Sequence, residues 1–360
     1  MADRYTAQQM LEKLVSFPTV SRDSNLDLIA FVEDYLAGHG VASTRVPDAT
    51  GQKASLFAHV GPAIDGGVIL SGHTDVVPVD GQAWDTDPFT VTEKDARLYG
   101  RGTCDMKGFL ALGLAAVPDM LAAGLHKPIH LALSYDEEVG CIGAPPMIEA
   151  MNAAGPRAAC CIVGEPSMMQ IADGHKGVCS LSVSVRGFEV HSSLLPTGVS
   201  AVMTAARLIT WLHDRNRDNA ANVRAEDEGF TPPYTTLHSG VIAGGTAHNI
   251  TALDCTFSVD IRAVPSDDLT TWRDRFMAHC HEIEAEIQGI RPEAKVKVEE
   301  RATVEGLRPE TDGAADALVR RITGLNHGIK VPYGTEGGQF QTGGYSTVIC
   351  GPGSIDQAHQ

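Results

Sequence analysis

The sequence predicts an α/β protein in two parts: a sheet covered by helices on both faces, and a smaller α+β unit inserted into it. Three observations carry this. Strand-like apolar runs alternate with helical ones through the first half of the chain, the pattern that buries a sheet between helices. From about Gly174 the strands alternate apolar and polar residues instead, as half-exposed strands do. The chain's 360 residues are also too many for one ordinary core.

Met10, Leu11, Leu14 and Val15 recur at helical spacing behind Thr6, a capping residue type. Leu28, Ile29, Val32, Tyr35 and Leu36 mark a second helix. ASLFAHV, GVILSGH and FTVTEKDARLYGRG read as strands, and Met106 to Leu125 as one long apolar helix with Gly124 near its end. HLALSYDEE is a strand, residues 141–154 a helix, and AACCIVGEP a strand. The inserted part then reads strand (CSLSVSVRG), helix (198–213), strand (TTLHSGVIAGG), strand (ITALDCTFSVDIRAV), helix (266–289) and strand (KVKVEERATV). That order is the ferredoxin-like split βαβ plan. RNRDNAANVRAEDEGFTPPY reads as a solvated loop within the insert. A helix near 311–325 and the strand STVICGPG return to the first pattern. The division is therefore 1–176 with 300–360 as a discontinuous first domain, and 177–299 as the insert.

The formal charge of −17 repels phosphate backbones and anionic lipid, which argues against nucleic acid and membrane partners. No apolar run approaches the roughly 20 residues of a membrane-spanning helix. MADRYTAQQMLEKL lacks a signal-peptide core, so the chain reads as cytoplasmic. The eight cysteines include no CxxC pair. In a reducing compartment they read as thiols, Cys160 and Cys161 as packing residues and Cys104 as a small filler beside Asp105.

Five places carry ionisable residues at junctions. His73 ends the strand GVILSGH, and Asp75 stands two residues on. Strand carboxyl ends are where α/β sheets place ligands. Asp75 can accept one ring N–H of His73 and leave the other nitrogen to a metal. Asp105 opens a helix, Glu137 and Glu138 follow a strand, Glu165 follows another, and His359 follows the last. Each has an ordinary reading too: a surface histidine, an N-cap, an acidic turn, a turn glutamate before proline, an exposed histidine near the end of the sequence. Together they supply two histidines and three carboxylates of the kind zinc accepts, with one of the two adjacent glutamates left over as a base. Two adjacent acids raise one pKa, which suits a base working near neutral pH.

On SGHTDVVP, WDTDPF, LYGRGTCDMKG, DEEVG, GEP, GGTAHNI and GPGSIDQAHQ, the chain resembles the co-catalytic zinc amidohydrolases. That family includes acetylornithine deacetylases, succinyl-diaminopimelate desuccinylases, aminoacylases and glutamate carboxypeptidases. The resemblance spans nearly the whole chain, and GRGTCDMKGF, YGTEGGQF and GPGSIDQAHQ are most similar to the deacetylase branch. It implies a zinc-peptidase-like catalytic domain with a central mixed sheet flanked by helices, and an inserted dimerisation or lid domain. It further implies two Zn²⁺ ions, with Co²⁺ or Mn²⁺ as substitutes: His73 and Glu165 on one, Glu138 and His359 on the other, Asp105 bridging. Asp75 would orient His73, and Glu137 would be general base and acid toward a shared water whose pKa falls toward 7. His191 would donate to the oxyanion, from this chain or a partner subunit. Arg262 would clamp a substrate carboxylate, with Asn249 nearby and the Thr335 loop as a backbone cradle. From charge complementarity alone, Glu336 would pair with a cationic side chain. Family members continue past the position of His359, so the resemblance implies a longer natural chain.

The implied activity is hydrolysis of Nα-acetyl-L-ornithine to L-ornithine and acetate, a step of arginine biosynthesis, by a cytoplasmic homodimer. Two alternatives stay open. One is a desuccinylase or aminoacylase for another N-acyl amino acid. The other is an inactive relative that only binds or dimerises, against which stands the presence of Glu137 and all five ligands.

Overall fold

The computed structural model describes residues 3–359. The chain forms two compact units. The first runs to Gly174 and resumes at Leu307–Val331 and from Thr335; the second comprises His175–Gly306 and Pro332–Gly334.

The first unit opens on α1 (Ala7–Val15), where Thr6 and Gln9 form a reciprocal capping box and Met10, Leu11, Leu14 and Val15 are buried. Helix α2 (Leu26–Gly38) buries Leu28, Ile29, Val32, Tyr35 and Leu36. Strands β1 (Ser43–Pro47), β2 (Ala54–Val60) and β3 (Val68–His73) follow. The run expected as one strand over 89–102 is a separate hairpin, β4 (Thr92–Lys94) and β5 (Arg97–Tyr99). Asp95 and Ala96 between them both have positive φ, as a tight two-residue hairpin turn requires. The long helix expected from Met106 is two helices, α3 (Lys107–Ala115) and α4 (Val117–Ala122). Pro118 sits in the first turn of α4; its ring and missing N–H cannot continue the preceding helix. Then come β6 (Ile129–Ser134), α5 (Ala144–Ala154), β7 (Cys160–Pro166) and β8 (Ala172–His175).

The second unit reads β9 (Gly177–Arg186), α6 (Ala201–Ala221), β10 (Thr236–His238), β11 (Ile242–Gly244), β12 (Asp254–Ala263), α7 (Leu269–Gln288) and β13 (Lys295–Val304). Its antiparallel sheet is ordered β10-β12-β9-β13, with β11 also on β12, which is the ferredoxin-like order. Alternate residues of β9 and β12 are buried with Leu208, Leu212, Phe276 and Ile283 of the two helices. Helix α6 runs further than expected, into what read as a loop. Asn216 exchanges two hydrogen bonds with the Leu237 backbone, and Asn219 donates to the Thr235 carbonyl. These bonds tie the polar end of the helix to β10.

The chain closes the first unit with α8 (Ala314–Thr323), β14 (Ile329–Val331), α9 (Gly337–Thr342) and β15 (Ser346–Gly351). The eight-stranded sheet is mixed, in the order β1-β2-β6-β3-β7-β15-β8-β14. Strands β6, β3, β7 and β15 are adjacent and parallel, so four carboxyl ends meet along one edge. Helices α1 to α4 bury one face, with Leu56, Leu70, Leu131 and Leu133. Ser71, next along β3 and so on the opposite face, meets Glu336 at the start of α9. Among the described residues no helix is long and apolar enough to cross a membrane.

Candidate active site

The four parallel carboxyl ends deliver the ionisable residues. His73 is the last residue of β3, Glu165 lies near the end of β7, Glu137 and Glu138 follow β6, and His359 follows β15. Asp105 stands just before α3, and its peptide bond to Met106 is cis. Two glycines let α3 come close enough. A Cβ on Gly72 would lie 2.7 Å from Met106 Cε, and one on Gly164 would lie 2.0 Å from the Phe109 ring. The absence of side chains at these two strand positions seats the helix start beside His73.

Asp105 holds the centre. Its Oδ1 lies 3.0 Å from His73 Nε2 and its Oδ2 3.3 Å from His359 Nε2. His73 Nε2 is 3.6 Å from Glu165 Oε1, and His359 Nε2 is 3.2 Å from Glu138 Oε2. Among the described residues, two groups have ligand atoms close enough to share an ion: His73 with Glu137 and Glu165, and His73 with Asp105 and Glu138. Asp105, Glu138 and His359 also line a small, open, polar cleft together with Arg101.

The electrostatics are those of acids crowded away from water. Glu137 is pushed up to about 8, first by loss of water; His73 opposes this, while Glu138 and Glu336 add to it. Glu165 is raised well above the ordinary value by burial and then by Asp105 and Glu137. Burial would lower His73, but the surrounding carboxylates outweigh it and raise the ring well above its usual value. Burial likewise opposes ionisation of Asp105, yet the two histidines hold it below the usual range. Asp105 and Glu138 raise His359 to about 10. Oε1 of Glu138 and Oε1 of Glu165 are buried without a hydrogen-bond partner among the described residues. Orphaned carboxylate oxygens facing imidazoles fit divalent cations, which supply the missing positive charge and displace the histidine protons.

Asp75 acts through different atoms than the sequence suggested. His73 Nδ1 lies 2.8 Å from the Asp75 main-chain carbonyl, and the carboxylate is 3.7 Å away. That carboxylate instead accepts from the Glu137 and Glu138 N–H groups at 3.1 and 3.3 Å, and from Ser21 Oγ at 2.7 Å. A single residue thus sets both the histidine ring and the acidic turn. The same turn is tied by Lys53, whose ammonium is 2.6 Å from Asp136 Oδ1. Cys141 Sγ donates to Glu137 Oε1 at 3.4 Å.

The remaining candidates divide by unit. Thr335 and Glu336, expected as substrate contacts, are 0% and 1% exposed, as the ligand-type residue His73 is. Gly337 N–H donates to Thr335 Oγ1 at 2.9 Å, and Ser71 Oγ donates to Glu336 Oε2 at 3.0 Å. The Gly337 amide is thereby engaged within the loop, and the Glu336 carboxylate is enclosed against β3, close enough to act electrostatically on Glu137. His191, Asn249 and Arg262 belong to the second unit. Exposed His191 accepts at Nδ1 from the Ser193 N–H at 3.2 Å and lies 2.8 Å from Ser193 Oγ, so a neutral ring carries its proton on Nε2. The Asn249 carbonyl accepts from Ser192 N–H at 2.9 Å. Arg262 is paired through Nε with Asp260 at 3.0 Å.

Sequence reasoning missed Lys53, Ser21 and Gln82. None belongs to a patterned run of ligand-type residues, and each acts through a bond to a residue at least 32 positions away.

Residues 69–360 match the family model described as peptidase family M20/M25/M40. An acetylornithine deacetylase of Myxococcus xanthus is 37% identical over 97% of this chain and 90% of its own length. One of Shigella sonnei is 35% identical over 98% and 91%. The crystal structure of an M20 family metallo-carboxypeptidase from Sulfolobus solfataricus superposes with a TM-score of 0.78 at 18% identity, covering 99% of this chain and 93% of that one. With its acids and histidines gathered at one sheet edge, the chain belongs to peptidase family M20/M25/M40 and is a hydrolase of amide bonds.

Proposed function

We propose that this enzyme hydrolyses Nα-acetyl-L-ornithine to L-ornithine and acetate, the deacetylation step of arginine biosynthesis. The observation that carries the reading is Asp105, with one oxygen toward His73 and the other toward His359, in a chain 35–37% identical to acetylornithine deacetylases over nearly its full length.

Two divalent cations fit the donor set: one on His73 and Glu165, one on Glu138 and His359, with Asp105 between. The mixed imidazole and carboxylate donors favour zinc, with cobalt or manganese as substitutes. The chemistry such ions supply is polarisation of the acyl carbonyl and acidification of water. Glu137 takes the proton of the attacking water and returns it to the departing amine. Asp75 holds the Glu137 main chain for that transfer. His191 donates from Nε2 to the tetrahedral oxyanion, Arg262 receives the substrate's α-carboxylate, and Asn249 contributes a separate substrate contact.

The second unit is the dimerisation or lid domain in this reading. The short strand β11 is exposed along its length, and Val241 is 67%, Met203 59% and Ile242 52% exposed. Apolar side chains on and beside an open strand suit a self-complementary contact in a homodimer. If His191 acts across that contact, diluted monomer is nearly inactive, and full activity of a monomer refutes the assignment. All eight cysteines are free, which supports a reducing, cytoplasmic setting.

The test is steady-state hydrolysis by the zinc-reconstituted protein, acetylornithine against succinyl-diaminopimelate, with a chelated control. Preference for acetylornithine, lost on chelation, is the expected result. Preference for the succinylated substrate, or hydrolysis unaffected by the chelator, overturns it.

A further inference from the structure

His359 stands outside the sheet, on the turn that follows β15, with φ 64° and a half-exposed side chain. Its carbonyl nonetheless has a partner far away in sequence. Gln82 Nε2 donates to the His359 main-chain oxygen at 2.9 Å. The other end of that amide is fixed by two donors. Trp84 Nε1 donates to Gln82 Oε1 at 3.2 Å, and an Arg101 guanidinium N–H donates to the same oxygen. Arg101 is 4% exposed, and its guanidinium carbon sits 5.2 Å from the Trp84 ring centroid, within cation–π range. Two donors on one oxygen leave the amide a single orientation, with its NH₂ toward His359.

We propose that Gln82 is a positioning residue for the His359 ligand, oriented by Arg101 and Trp84, so that loop 81–84 sets the affinity of the cation position shared by His359 and Glu138. The assignment rests on the two-cation reading above. Partners that orient a ligand from behind typically change metal affinity 10–100-fold when removed. Here the support is to the ligand's backbone, just beyond the short turn Ile355–Gln357.

The experiment is a competition titration of the metal-free full chain with Zn²⁺ against a chromophoric chelator, resolving the two binding steps. Parent, Gln82→Ala, Gln82→Glu and Trp84→Phe are compared, with thermal unfolding of each metal-free protein alongside. Gln82→Glu keeps the oxygen that Arg101 and Trp84 bind but removes the donor to His359. The expected result is one step weakened about 10–100-fold in both Gln82 variants, with the other step within twofold of the parent. Trp84→Phe shifts the same step less. Equal weakening of both steps together with a lowered melting temperature assigns Gln82 a general structural role and overturns the proposal. Two unchanged steps overturn it as well. A parent that binds no second equivalent refutes the two-cation reading itself and this inference with it, an outcome distinct from the others.

Discussion

Two histidines flank Asp105 and are built in opposite ways. His73 closes a central strand, is 0% exposed, and has its ring fixed by the next-but-one carbonyl. His359 lies on a turn past the last strand, with a side chain 51% exposed and its carbonyl held by Gln82. The same chemistry is thus presented once by the sheet and once by a loop. Strand-borne groups are held more closely than loop-borne ones, and loops open more readily. The His73 half of the site is therefore preorganised by folding, while the His359 half depends on side chains that reach it from elsewhere.

Glu137 tests where the boundary between the halves runs, and its loss has the largest expected effect. Replacing it with Gln removes the proton acceptor. Loss of general acid–base catalysis predicts a fall in kcat of roughly 10²–10⁴-fold, with metal content unchanged. Glu137 also lies within ligand range of His73 and Glu165. If metal content falls together with kcat, measured by elemental analysis after dialysis, Glu137 belongs to the sheet-held ligand set and not to the catalytic proton path.

The histidines themselves come next. His359→Ala is expected to cost one ion per chain and leave the other bound. His73→Ala is expected to cost instead the ion it shares with Glu165, leaving the His359 position bound. In the parent, chelator extraction followed over time is expected to be biphasic, with the loop-held ion leaving first. A single phase would erase the contrast.

A third histidine extends the comparison to pH. His175 ends β8, is 0% exposed, and is lowered to about 4 by burial, while carboxylates raise His359 to about 10. A histidine whose folded pKa lies below its unfolded value of about 6.5 favours the native state fully above that value. As pH falls from about 6.5 to 4, the unfolded chain binds the proton first and stability is lost. The window spans about 2.5 units, or about 3 kcal/mol at 1.36 kcal/mol per unit. Urea unfolding at pH 7 and pH 4.5 is expected to show a smaller pH loss for His175→Gln than for the parent. An identical loss in both proteins removes His175 as the cause.

What the sequence conveys about this molecule follows the same division. Helical periodicity marks α1 and α2 by their buried residues, because a packed face repeats. The junction residues His73, Asp105, Glu138 and Glu165 are legible because strand ends are punctuated by glycine and turn residues. What escapes is long-range and one-sided. Pro118 divides a helix that its apolar content alone would continue. Asn216 and Asn219 extend α6 by bonding to backbone 16 to 21 residues away, at and just before β10. The burial of Glu336 depends on Ser71, 265 positions earlier, and no local pattern announces such a contact.

The smallest expected effect probes the packing beneath the sheet-held half. In Gly72→Ala the new Cβ would lie 2.7 Å from Met106 Cε and 2.9 Å from Leu110 Cδ2. Both partners are buried, at 0% and 4% exposure, so neither swings out to solvent. They can yield only within the core, and an overpacking cost of about 1–2 kcal/mol follows. Relief moves the start of α3 away from β3, and Asp105 with it. Gln357→Ala, an exposed change on the turn before His359, is expected to fall within about 0.5 kcal/mol of the parent. Urea unfolding of the metal-free proteins distinguishes the two. A Gly72→Ala protein as stable as the parent would mean that α3 does not depend on that close approach. The preorganisation of Asp105 would then have to come from the turn preceding it, Gly100–Cys104, and not from the strand.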